Sequence, residues 1–176
     1  MTAFKKISIA FLCITLVMLT VLAFTACGGE RLENGILYNG TAVIGADKDA
    51  ESLTVKDGTT SIAAGAFADC GKLTSLTLPD SITEIAQSAF SGCDALIKSE
   101  GGVSYVDGWI TEIHPSVTSV EITGAVRGFA EESFMDAINL ESITFTGDTE
   151  IWENIKKSIP QSVISKINVT INPNNS

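Results

Sequence analysis

The chain has 176 residues, 45% hydrophobic and 18% charged, with 11 basic against 21 acidic side chains and a formal net charge of −10. That length fits one ordinary domain plus an extra apolar segment. A chain this acidic has no basic footprint for nucleic acid, and none for lying flat on an anionic bilayer, which excludes nucleic acid as a partner.

The apolar segment comes first. Lys5 and Lys6 precede "ISIAFLCITLVMLTVLAFTA", a run without a charge that closes in small residues before Cys27. A basic start, an apolar stretch and a small-residue end make an export signal. A different cleaved signal would share this layout, and the run is also long enough to cross a bilayer as an uncleaved helix. "FTACGG" resembles a bacterial lipoprotein signal, in which a Cys is lipidated through its thiol and becomes the new N-terminus. The resemblance implies a signal peptide over residues 1–26 and lipidation of Cys27. It implies a location on the extracytoplasmic side of the cell membrane, held by the two acyl chains that stable anchoring requires. Removal of residues 1–26 takes away Lys5, Lys6 and no acid, leaving 9 basic against 21 acidic residues and a formal charge of −12. Residues 27–34 form a short tether. From Gly28 to Asn34 it reaches at most about 25 Å, at roughly 3.3 Å per residue, so the domain stays near the bilayer.

Two periods follow. Leu53, Val55, Ile62, Phe67, Cys70 and Leu73 recur 23 positions on as Leu76, Leu78, Ile85, Phe90, Cys93 and Leu96. A displacement of 67 carries Gly35, Tyr38, Leu53, Ile62 and Leu76 onto Gly102, Tyr105, Val120, Phe129 and Ile143. Each 67-residue unit opens with a candidate β-hairpin, near residues 35–44 and 102–113, whose Asn39-Gly40 and Asp107-Gly108 pairs suit a tight turn. Within a coil, "SLTV", "SLTL", "SVEI" and "SITF" alternate as half-buried strands do. "SIAAGAFADCGKL" spaces Ala66, Phe67, Cys70 and Leu73 by three and four, which predicts a turn or two of helix. No single coil buries its own apolar side, so coils must stack.

"ITEIAQSAFSGCDALIKSE" and "TSIAAGAFADCGKLTSLTLPDS" resemble the BspA-like class of leucine-rich repeats found in bacterial surface proteins. The resemblance covers roughly residues 36–147 and implies an α+β repeat solenoid: a short leucine-rich-repeat stack, strand plus short helix per coil, over residues 35–147, with inserted β-hairpins. In the looser coil "ESFMDAINL", Ala137 stands where Cys is expected. Cys70 and Cys93 then hold equivalent places on successive coils, where a small apolar side chain suffices. A disulfide between them requires their Cα atoms to lie within about 7 Å.

Residues 148–176 read as a C-terminal cap and tail. "TEIWENIKKSI" carries Ile151, Ile155 and Ile159 at four-residue steps, with an acidic first turn and lysines near its end, as an amphipathic helix does. Pro160 should end it, and "KINVTINP" alternates as a closing strand.

Catalytic chemistry finds little to stand on. His114, followed by Pro115, has no identifiable partner as a base, and no nucleophile elbow, zinc helix, phosphate loop or dinucleotide fingerprint occurs. No catalytic residue, metal or cofactor is assigned. Asp47, Asp49 and Glu51 alternate as calcium ligands would, but Ser52 and Gly58 stand where an EF-hand needs Gly and Glu, so a solvated loop is expected. Glu131-Glu132 is placed at the start of a short helix. The sequons at Asn39 and Asn168 receive no function.

The reading is a membrane-tethered, non-catalytic module that binds an envelope or extracellular protein or glycan, with adhesion as one use. The alternative is an envelope hydrolase or its substrate-binding accessory. The expected binding face is the outer side of a parallel sheet: Thr54, Thr77, Glu121 and Thr144, flanked by Ser75 and Ser119. The second candidate surface is the hairpins, through Tyr38, Tyr105 and Trp109. The alternative for Tyr105 and Trp109, and the favoured one, is to cover the edge of the stack between coils.

Overall fold

The structure, a computed structural model, describes residues 30–173; the signal segment and Cys27 lie outside the described residues. In chain order the first unit contains β1 (Glu30–Glu33), β2 (Ile36–Asn39), β3 (Ala42–Ala46), β4 (Ser52–Thr54), β5 (Ser61–Ile62), β6 (Ser75–Thr77) and β7 (Glu84–Ile85). The second contains β8 (Lys98–Glu100), β9 (Val103–Val106), β10 (Trp109–Ile113), β11 (Ser119–Thr123), β12 (Gly128–Phe129) and β13 (Ser142–Thr146). Helices α1 (Thr149–Ile155) and α2 (Gln161–Ile164) and strand β14 (Asn168–Asn172) follow. β1, paired beside β2, occupies half of the stretch expected to be tether.

The 67-residue offset holds at the level of pairing. β3 pairs in parallel with β5 through Ala42↔Ser61 and Val43↔Ile62, and β10 pairs with β12 through Trp109↔Gly128 and Ile110↔Phe129. Both hairpins carry a β-bulge at the same point, because Ile44 has no partner on β2 and Thr111 has none on β9. The first turn falls at Gly40-Thr41, one residue later than expected, with Asn39 paired to Ala42. It therefore aligns with Asp107-Gly108, where φ is positive at both residues. The seventh position breaks the duplication: 67 residues beyond Ile85 in β7 lies Trp152 in α1, and both side chains are buried.

Coils stack in register at the 23-residue period. β4 pairs with β6 as Ser52↔Ser75, Leu53↔Leu76 and Thr54↔Thr77, and β11 pairs with β13 as Ser119↔Ser142 through Thr123↔Thr146. Alternation turns Leu53, Leu76, Val120, Ile122, Ile143 and Phe145 inward, all buried. The Phe67 and Phe90 rings stack at 5.6 Å and 20°. Burial of each such side chain is worth about 1.5–3 kcal/mol.

The expected short helix in each coil is absent. Cys70 N–H donates to Phe67 O and Leu73 N–H to Cys70 O, three residues back, while Phe67 N–H donates to Ala89 O and Asp69 N–H to Ser91 O on the next coil. The segment is a run of turns whose intervening amides join the coils, and Gly65 and Asp69 take positive φ within it. Glu131-Glu132 likewise lies in turns, not at a helix start.

The four strands expected in one parallel sheet form two ladders, β4–β6 and β11–β13–β14. At the equivalent of Val55 N–H, which donates to Thr77 O, Leu78 N–H meets the Asp107 carboxylate at 2.7 Å. Arg127 Nη1 donates to Leu78 O and to Asp107, and its Nη2 to Pro79 O. The tip of the second hairpin and one guanidinium thus stand where a strand would have paired.

Among the C-terminal elements, Asp148 caps α1 by accepting from Glu150 N–H at 2.7 Å. The buried face is Trp152, Ile155 and Ile159 rather than the expected Ile151, which is exposed. A 3-10 turn at Lys156–Ser158 follows; the run ends there with Ile159 extended before Pro160, as expected, and Pro160 then caps α2. β14 closes the second ladder in parallel with β13.

Candidate functional site

On the outer side of the ladders, Thr54, Thr77, Ser75, Ser119 and Glu121 are exposed. Thr144 is half-buried between Glu121 of β11 and Thr170 of β14. Register brings Thr54 beside Thr77, and Glu121 beside Thr144, at the roughly 4.8 Å spacing of paired strands. The ladder break keeps Thr77 and Glu121 out of one continuous row. The result is two short rows of hydroxyls, one carrying a carboxylate.

Of the three hairpin aromatics, Tyr38 and Trp109 are buried and Tyr105 is half-buried. Tyr38 is buried, with its hydroxyl accepting from Lys56 N–H at 3.1 Å and Lys56 Nζ 4.0 Å from its ring centroid. Trp109 is 2% exposed, with its indole N–H unpartnered. Tyr105 is half-buried, and burial, then the Glu100 charge, pushes its phenol above the ordinary range. All three turn toward the core because the bulged hairpins are covering layers of the stack.

Cys70 and Cys93 are buried free thiols. Each reaches back to the preceding coil, Cys93 Sγ donating to Phe67 O at 2.9 Å and Cys70 Sγ to Asp47 O at 3.9 Å. Burial raises both thiols, Cys93 to about 11. They are inert at neutral pH, since only the thiolate is a nucleophile.

The acidic loop is tied across coils. Lys72 Nζ lies 2.7 Å from Asp49, whose carboxyl that contact holds below its usual range, and Lys48 lies 3.2 Å from Asp69. His114 is exposed, its Nδ1 2.8 Å from Ser116 Oγ. Among the described residues no cluster of His, Cys, Asp or Glu has metal-holding geometry.

Sequence reasoning missed a cleft of about 250 Å³ where the two units meet. Phe90 and Ile97 of the first unit line it, with Thr111 and Glu112 of β10 and Glu132 and Asp136 from the turns after β12. Thr111 is 8% exposed, and its hydroxyl has no hydrogen-bond partner.

These stacked coils, joined in register every 23 residues, are matched over residues 46–158 by the family model of the BspA type leucine-rich repeat region, in 6 copies. The chain belongs to the BspA-type leucine-rich-repeat family. No curated protein matches it. Among solved structures it is similar to a leucine-rich repeat protein from Eubacterium ventriosum, at 14% identity and a TM-score of 0.38, over 83% of this chain and 40% of that one. It is also similar to a T. pallidum leucine-rich repeat protein, at 15% identity and a TM-score of 0.33, over 82% of this chain and 79% of that one. The match thus spans 40% of the length of the E. ventriosum structure.

Proposed function

We propose that this protein is a cell-envelope lipoprotein whose leucine-rich repeats form a short solenoid and act as a non-catalytic module binding a protein or glycan. The observation that carries the reading is the pair of exposed strand rows. Ser52, Thr54, Ser75 and Thr77 present repeated hydroxyls in register on a rigid ladder, while the alternate residues are buried in the core. A rigid, solvent-open row of small polar groups suits contacts along an extended partner, as the faces of stacked repeats do. Signal, lipid and tether are proposed for residues 1–26, Cys27 and the few residues before β1, with residues 148–176 as the cap.

A start of β1 at Glu30 shortens the proposed tether to Gly28 and Gly29, which favours partners close to the bilayer over distant adhesion. The test is a photoreactive residue at Thr77 of the full chain in intact cells. The expected result is a crosslink to one defined envelope species; crosslinking to lipid alone would overturn the reading.

A further inference from the structure

We infer that the cleft between the two repeat units is a receptor for a basic side chain, lysine or arginine, of a protein partner. The inference rests on the binding-module reading and adds a contact point separate from the strand rows.

The duplication supplies an internal control. Thr111, Glu112 and Glu132 occupy the places that Ile44, Gly45 and Gly65 hold in the first unit, where coil, bulge and turn form without them. The second unit therefore carries a hydroxyl and two carboxylates that the coil itself does not need. Only Asp136 has an acidic counterpart, Asp69.

Thr111 is the bulged residue of β10, with its neighbours paired to β9 on either side. A bulge re-aims a side chain out of the strand's alternation. Here the bulged residue lines the cleft and its buried hydroxyl is left without a partner, a group that costs free energy unless something supplies the bond. Glu112, Glu132 and Asp136 line the same cleft, no lysine or arginine does, and none of the three joins an ion pair among the described residues. Glu132 accepts only a long bond, 3.4 Å, from Ser88 Oγ.

Phe90 and Ile97 give the cleft apolar walls. Long basic side chains bury their stems against apolar surface and hold the charge at a polar rim. At about 250 Å³ the cleft falls below the roughly 300–1,000 Å³ of sites that enclose a drug-sized ligand, so it takes one side chain rather than a whole molecule. Three uncompensated carboxylates and a lone hydroxyl select a cation that donates several hydrogen bonds.

Met135 also lines the cleft and is the only methionine among the described residues, so its methyl group reports occupancy. The test titrates the full chain, labelled at its methionine methyls and held in detergent micelles, with short capped peptides. These carry lysine, arginine or the uncharged isostere norleucine. Lysine and arginine peptides should give a saturable Met135 shift, and norleucine none. Glu132→Gln should weaken binding about tenfold, the worth of a charge-assisted hydrogen bond. Thr111→Ile, which installs the residue of the first unit, should also weaken it. The strand-row variant Thr77→Arg with Glu121→Arg should bind as the unaltered chain does. Absence of a saturable shift, an equal response to norleucine, or undiminished binding by Glu132→Gln overturns the inference, whatever the strand rows capture. Saturable peptide binding together with equal partner capture by the unaltered chain and the strand-row variant upholds the cleft and counts against the rows alone.

Discussion

Trp109 lies against Gly128 across the β10–β12 pairing, so close that a Cβ on residue 128 would meet the indole Cζ3 at 2.7 Å. The first unit has Ala42 opposite Ser61 at the same places. One copy fits two small residues and the other trades both for a large one and none. Gly128→Ser should therefore cost about 1–3 kcal/mol, the range for overpacking a filled core. Urea denaturation measures this. Trp109→Ala with Gly128→Ser should recover part of the loss, because it rebuilds the arrangement of the first unit.

Arg127 stands where the first unit has Thr60. Its guanidinium holds Leu78 O, Pro79 O and Asp107 together at the ladder break. Arg127→Thr should destabilise the chain by about 2 kcal/mol, the scale of losing hydrogen bonds to a charged group. Hydrogen exchange should show faster amide exchange at Leu78, whose partner Asp107 is no longer fixed.

The thiols make stability depend on pH. Burial raises Cys93 from 9.0 to about 11 and raises Cys70 too, so the folded state favours the neutral thiols. Their contribution is complete below the unfolded value near 9 and is lost as pH rises from there through about 11. Urea midpoints should fall over that window, less so in a Cys70→Ala, Cys93→Ala variant. A thiol reagent at about pH 8 should leave both residues unlabelled until the chain unfolds.

Anchoring is tested at Cys27. Cys27→Ala should abolish incorporation of labelled fatty acid and release the chain from membranes. Retention without acyl label would mean that the apolar segment remains as a spanning helix.

The repeat was legible because a core imposes itself on sequence. Inward positions such as Leu53, Leu76, Val120 and Ile143 must stay apolar, and the 23- and 67-residue periods survive in them. The helix expected at Ala66–Leu73 was misread because consecutive three-residue turns bury side chains at nearly helical spacing; only the hydrogen-bond partners on the next coil tell them apart. Ile151 was read as inward-facing on the same kind of periodicity, whereas the duplication sets Trp152 at the buried place of Ile85. The ladder break and the cleft depend on side chains from distant segments, Asp107 with Leu78 and Thr111 with Glu132, which no local pattern joins. Comparison of the two units position by position would have found both, as Thr60 becoming Arg127 and Gly65 becoming Glu132.

The most direct test of a binding module built on exposed strand rows is capture of an envelope partner by the full chain and by its Thr77→Arg, Glu121→Arg variant. Both residues are exposed, so the variant should remain folded. The expected result is a defined partner retained by the unaltered chain and lost or strongly reduced with the variant. Equal capture by both would contradict the strand rows as the binding surface.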